Sequence, residues 1–99
     1  MTGRIFGALF GDGRAFIGVV HLPALPGSPR WDGDMDRVLD RAEEEALALQ
    51  SGGADGIIVE NFGDAPFRIG LVDPETVAGV TLAVNRIRQV TTIPLGINM

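Results

Sequence analysis

Five side chains in this sequence have the chemistry of a reactive or ligand-holding site: His21, Glu60, Asn61, Asp64 and Asn98. An imidazole titrates near neutrality, so His21 can act as a general base, a metal ligand or a donor to substrate. Its structural alternative is a ring bonded to the backbone of the proline-rich segment that follows it. Glu60 ends a run of small and apolar residues, where a carboxylate is costly unless it is paired or sits at a solvated rim. There it can serve as a general acid or base, or join His21 and Asp64 around a cation that takes oxygen or mixed N/O ligands. Its structural alternative is a salt bridge to Arg30 or Arg68. Asn61-Phe62-Gly63-Asp64 can orient a ligand and equally has the composition of a plain turn. Asn98 can hold a ligand from a third strand. These residues name neither a metal nor a cofactor.

Composition removes other chemistries. The 99 residues include no Cys and no Tyr, and all eight cationic side chains are Arg. A disulfide framework, a thiolate nucleophile, a Cys-ligated zinc, a Schiff-base lysine and a P-loop lysine are therefore excluded within the chain. Ser28 lies in no G-x-S-x-G elbow. Gly11-Asp12-Gly13 precedes the first apolar strand run instead of following it, which argues against a dinucleotide fingerprint. A net charge of −5 argues against a nucleic-acid partner, since phosphate binding needs a basic face. No stretch approaches the roughly 20 apolar residues of a membrane span. Met1 to Phe10 lacks a signal-peptide core, and the spacing of Ile5, Phe6, Leu9 and Phe10 predicts a short helix laid on a core. The expected location is the cytoplasm.

The elements that must position the five residues follow from periodicity. Phe16-Ile17-Gly18-Val19-Val20 is short, apolar and ends at His21, a pattern that suits a strand buried on both faces. Leu22 to Gly33 contains Pro23, Pro26 and Pro29, which forbid regular structure and predict a long ordered loop. A helix is predicted from about Asp34 to Gln50, with Met35, Val38, Leu39, Ala42, Ala46 and Leu49 as its apolar stripe. Asp32 or Asp34 can cap it, Arg41 and Glu45 form an i,i+4 pair, and Gly52-Gly53 stops it. Ile57-Ile58-Val59 is a second strand, ending in Glu60-Asn61. Asp73-Pro74-Glu75 opens a second long helix with Val77, Val80, Val84 and Ile87 as its stripe, running to about Gln89. A third strand spans Ile93 to Asn98.

Strands alternating with helices predict a parallel sheet of the α/β class, in the order helix, then β-α-β-α-β. The two loops that leave strand ends are long, and the two that return from helices are short. Ligand sites of such folds lie at the carboxyl ends of the strands. All three strands finish there on polar residues, so an imidazole, a carboxylate and two amides are expected along one rim.

Three segments carry a family resemblance. Ile17-Gly18-Val19-Val20-His21-Leu22-Pro23-Ala24-Leu25-Pro26-Gly27-Ser28-Pro29 resembles the opening of the BtpA/SgcQ family. Gly53 to Phe67, with Glu60-Asn61-Phe62-Gly63-Asp64 at its centre, resembles that family's second signature, and Pro94-Leu95-Gly96-Ile97-Asn98 the start of its third. The resemblance implies a TIM (β/α)8 barrel of the ribulose-phosphate-binding group, with residues 1–99 as a partial, N-terminal βαβαβ fragment of it. A complete barrel takes about 250 residues and eight strands, and its usual phosphate-binding loops follow strands 7 and 8.

The resemblance also implies a role in photosystem I and membrane-complex biogenesis, peripheral to a membrane. Its alternative is an enzyme acting on a sugar-phosphate or nucleoside-like small molecule. His21 and Glu60 would then form the acid–base pair, with Asn61, Asp64 and Asn98 positioning the substrate. Three strands without barrel neighbours expose edges and apolar faces, which predicts self-association into a homo-oligomer or partial unfolding.

Overall fold

The computed structural model describes residues 2–61 and 73–99. Among them lie α1 (Thr2–Phe10), β1 (Ile17–His21), α2 (Met35–Ser51), β2 (Gly56–Glu60), α3 (Pro74–Val90) and β3 (Leu95–Asn98). Local chemistry sets the boundaries. Asp34 caps α2, its Oδ1 accepting from the Arg37 amide at 3.0 Å. The helix ends at Ser51, and Gly53 takes the left-handed conformation, φ +97°, that a side chain disfavours. Asp73 precedes α3 in extended conformation without a side-chain capping bond, and Pro74 supplies the preset first helical φ.

The three strands form one parallel sheet in the order β1-β2-β3. Phe16 and Asp55 clasp its entry through Phe16 N–H to Asp55 Oδ2 (2.8 Å) and Asp55 N–H to Phe16 O (2.7 Å). Helices α2 and α3 pack against each other and against the sheet, so both cover one face. Val20, Ile57 and Val59 of that face meet Val38, Ala42 and Ala46 of α2 and Val80, Ala83 and Ile87 of α3 in a single apolar core. Arg86 locks the helix pair from outside, donating from Nε to Glu43 Oε1 and from Nη2 to Asp40 Oδ1, each at 2.8 Å. The hydrogen bond to Glu43 raises the guanidinium pKa above its ordinary value against the opposing effect of burial, with Asp40 adding to the rise.

Two expectations need correction. Strand β1 is buried on one face only, since Ile17 and Val19 remain 37% and 40% exposed on the face away from α2 and α3. The stripe of α3 is also rotated. Thr76, Gly79, Val80, Ala83 and Ile87 are buried, whereas Val77 is exposed. Small residues let α3 approach α2 and the loop after β1 closely, and that outweighs the larger apolar area of Val77.

The β1–α2 loop is anchored by Leu22 and Leu25, both fully buried. Leu25 packs on Gly79, where an added Cβ would lie 3.2 Å from Leu25 Cδ2. α1 reaches the opposite side of the sheet. Its Phe10 ring, tilted against Phe6, rests on Gly56 beside Ile17, at the N-terminal end of the face that α2 and α3 leave uncovered. Among the described residues, no helix is long and apolar enough to cross a membrane.

A polar row across three strand ends

Parallel register decides which side chains meet. His21 pairs with Glu60, and Glu60 with Asn98. Paired residues of neighbouring strands share a face, and alternate residues share it along each strand. His21, Glu60 and Asn98 therefore form one row on the face away from α2 and α3. One step nearer the N-terminal ends, Val19, Ile58 and Gly96 form a second row, and Ile17 and Gly56 follow below.

Glu60 is the centre of the polar row. His21 Nε2 lies 3.3 Å from Glu60 Oε2, and Asn98 Nδ2 donates to Glu60 Oε1 at 3.2 Å. Each carboxylate oxygen is thus held by a different neighbouring strand. The Glu60 side chain is 22% exposed and that of His21 is 53% exposed, so the carboxylate sits within the row while the imidazole edge meets solvent. The ladder continues one residue further, with the Leu22 amide donating to Glu60 O at 2.9 Å. This bond fixes the backbone on both sides of the row's first pair.

An imidazole beside a carboxylate is a pairing through which a proton can pass. A carboxylate offers about four lone-pair positions, so the Asn98 hydrogen bond and the His21 contact leave further acceptor capacity.

The structure separates the remaining candidates. Asn61 follows β2 directly and is 2% exposed, so it belongs to the buried interior and not to the solvent-facing row. Asp64 lies outside the described residues. The alternative salt-bridge partner Arg68 also lies outside the described residues, and among the described residues Glu60 meets His21 and Asn98 instead of Arg30, because the pairing register brings these two alongside. Among the described residues, no three His, Cys, Asp or Glu side chains come together as a metal-binding group. Gly96 pairs with Ile58 and lies on the same face as the row, one step nearer the N-terminal ends.

The fold and site define an α/β protein with a parallel sheet, polar at the carboxyl ends of its strands. Residues 12–99 match the BtpA family, and the chain belongs to that family. It is 55% identical over 83 residues to the photosystem I biogenesis protein BtpA of Synechocystis sp., covering 84% of this chain and 29% of that protein. It is 44% identical over 88 residues to an uncharacterised protein of Pyrococcus horikoshii, covering 89% of this chain and 34% of the relative. It is 34% identical over 93 residues to the putative sgc region protein SgcQ of Escherichia coli, covering 92% of this chain and 34% of the relative. The chain spans about a third of the length of the curated relatives it matches. No solved structure matches it.

Proposed function

We propose that the His21–Glu60–Asn98 row is an acid–base and ligand-positioning site for a small molecule of the sugar-phosphate or nucleoside type. The observation that carries this reading is the two-sided grip on Glu60, from His21 on β1 and Asn98 on β3. His21 exchanges the proton, Glu60 orients and stabilises the ring, and Asn98 fixes the carboxylate and presents its amide to substrate. The sheet is read as part of a TIM barrel. Its strand order follows the chain, and its two long helices lie together on one face, as in a singly wound barrel and unlike a doubly wound sheet. Active sites of such barrels stand at the carboxyl ends of the strands, where this row is.

The test is made in a full-length relative, with a panel of sugar phosphates and nucleosides screened for binding or turnover. His21→Ala and Glu60→Ala each abolish the response in the panel member that native protein accepts. Full retention by both variants overturns the reading.

A second reading is favoured by the 55% identity to the Synechocystis protein named for photosystem I biogenesis. By it, this chain serves the assembly or stability of that complex, at or near the membrane surface. Deleting its gene in a photosynthetic host lowers the photosystem I content. An unchanged content overturns this reading and leaves the first one standing.

A further inference from the structure

A glycine in α3 lets the first loop seat on that helix. Glycine inside a helix is unfavourable relative to alanine. Gly79 nevertheless stands in the interior of α3, and it is buried. Its neighbour is Leu25 of the β1–α2 loop. A Cβ on Gly79 would lie 3.2 Å from Leu25 Cδ2 and 3.6 Å from both Leu25 Cβ and Leu25 Cδ1. The Leu25 side chain, itself fully buried, occupies the room that glycine leaves against the helix.

A short, stiff arm joins Leu25 to the polar row. Leu22, directly after His21, is also fully buried. Pro23 fixes its own φ and holds Leu22 to extended conformations. The arm ends on α3 through Leu25 and on β2 through the Leu22 amide, which donates to Glu60 O at 2.9 Å. That bond is the outermost described bond of the β1–β2 ladder, and ladders open first at their ends. Its donor adjoins His21 and its acceptor belongs to Glu60, so opening it draws the pair apart. On the far side, the Ser28 amide donates to Leu25 O and the Trp31 amide to Ser28 O, each at 3.0 Å, and Trp31 packs on the apolar core. Leu25 is thereby held from both directions.

We propose that Leu25, seated on Gly79, is a positioning residue for the His21–Glu60 pair, so that α3 sets the spacing of the two side chains through the first loop. The proposal rests on the small-molecule reading of that pair and deepens it by naming what holds its geometry.

Two NMR readouts on the full chain test it. One is the exchange rate of the Leu22 amide relative to that of Ile57, which donates to Pro94 O at 2.9 Å where the sheet begins. The other is the NOE between the ring protons of His21, the single histidine, and the γ-methylene of Glu60. In Leu25→Ala, Leu22 exchange is expected to accelerate by about tenfold or more relative to Ile57, because truncating a buried anchor loosens the segment it holds. The NOE weakens in the same variant. Leu25→Met, which keeps a side chain of similar volume, returns both readouts to near their native values. Gly79→Ala moves both in the direction of Leu25→Ala by a smaller amount, since its Cβ presses on Leu25 while alanine favours the helix. Ile87→Val, a core truncation nearer the end of α3, lowers the melting temperature and leaves the exchange ratio and the NOE unchanged.

Equal acceleration of Leu22 and Ile57 in Leu25→Ala marks a general loss of stability and overturns the proposal. An unchanged NOE in that variant overturns it as well, and so does a response to Ile87→Val like that to Leu25→Ala. If Leu25→Ala does not fold, Gly79→Ala decides by the same two readouts, and native values of both overturn the proposal. Neither readout involves a ligand, so failure here removes the positioning role alone, and the panel screen in the full-length relative decides the small-molecule reading separately.

Discussion

His21 Nε2 lies 3.3 Å from Glu60 Oε2 because parallel register makes these residues partners at the ends of β1 and β2. With half of the imidazole side chain exposed, solvent screens this contact, and pairs of this kind contribute about 0.2–1 kcal/mol. A double-mutant cycle with His21→Ala and Glu60→Gln, read by urea denaturation, is expected to give a coupling energy in that range. The single-variant stabilities from the same cycle then separate losses of chemistry from losses of folding. A coupling of several kcal/mol would show that the pair is structural.

Leu49 of α2 packs against Gly18 of β1, where an added Cβ would lie 2.6 Å from Leu49 Cδ2. Gly18→Ala forces the Leu49 side chain to shift and is expected to lower the denaturation midpoint, at most by about the 1–3 kcal/mol of an overpacked core site since Leu49 is only partly buried. Leu49→Ala introduced into the same chain relieves the clash and recovers part of the loss. The denaturation midpoints of the two single variants and the double variant check this, and strictly additive losses would contradict it.

Leu25 anchors the long loop that follows His21. It is fully buried and lies against Gly79 of α3. Leu25→Ala leaves a cavity and is expected to cost about 2–5 kcal/mol. Limited proteolysis should show new cleavage between residues 22 and 34, ahead of any cut within α2. Unchanged cleavage there would mean that the remaining contacts of the loop suffice.

Arg86 joins α3 to Asp40 and Glu43 of α2 through two separate nitrogens. Lysine keeps the charge but presents it from a single point and cannot reproduce the fork. Arg86→Lys is expected to lower the melting temperature, and added salt should narrow the gap to native protein, because the contact is solvent-accessible. The pKa of Arg86 is raised in the folded state, so its contribution is complete below the ordinary guanidinium value and is lost only as pH rises through that range. The gap should therefore show no dependence on Arg86 titration between neutral and moderately alkaline pH.

Among the described residues, the sheet face opposite α2 and α3 carries exposed Ile17 and Val19, and β1 and β3 flank β2 with no further described strand beside them. Unpaired strand edges beside apolar surface favour association. Sedimentation of the chain over a range of concentrations is expected to show self-association, or amide exchange to show partial unfolding of β1 and β3. A monodisperse monomer with slow exchange in all three strands would refute this.

Much of the fold was legible from residues alone. The Asp34 cap, the Gly52-Gly53 stop, the Pro74 start and the alternation of apolar runs determine element order and boundaries, because caps and periodicities act over a few residues. They also place the polar residues at the carboxyl ends of parallel strands. Which of those residues meet is a matter of register, and register is tertiary. Glu60 and Asn98 are 38 positions apart, and only strand pairing makes them neighbours. Glu60 and Asn61 are adjacent, yet one joins the solvent-facing row and the other enters the interior. The stripe of α3, the reach of Phe10 to Gly56 and the Arg86 fork depend on how whole elements pack. Periodicity along one segment gives each element an apolar face but does not say what will lie against it.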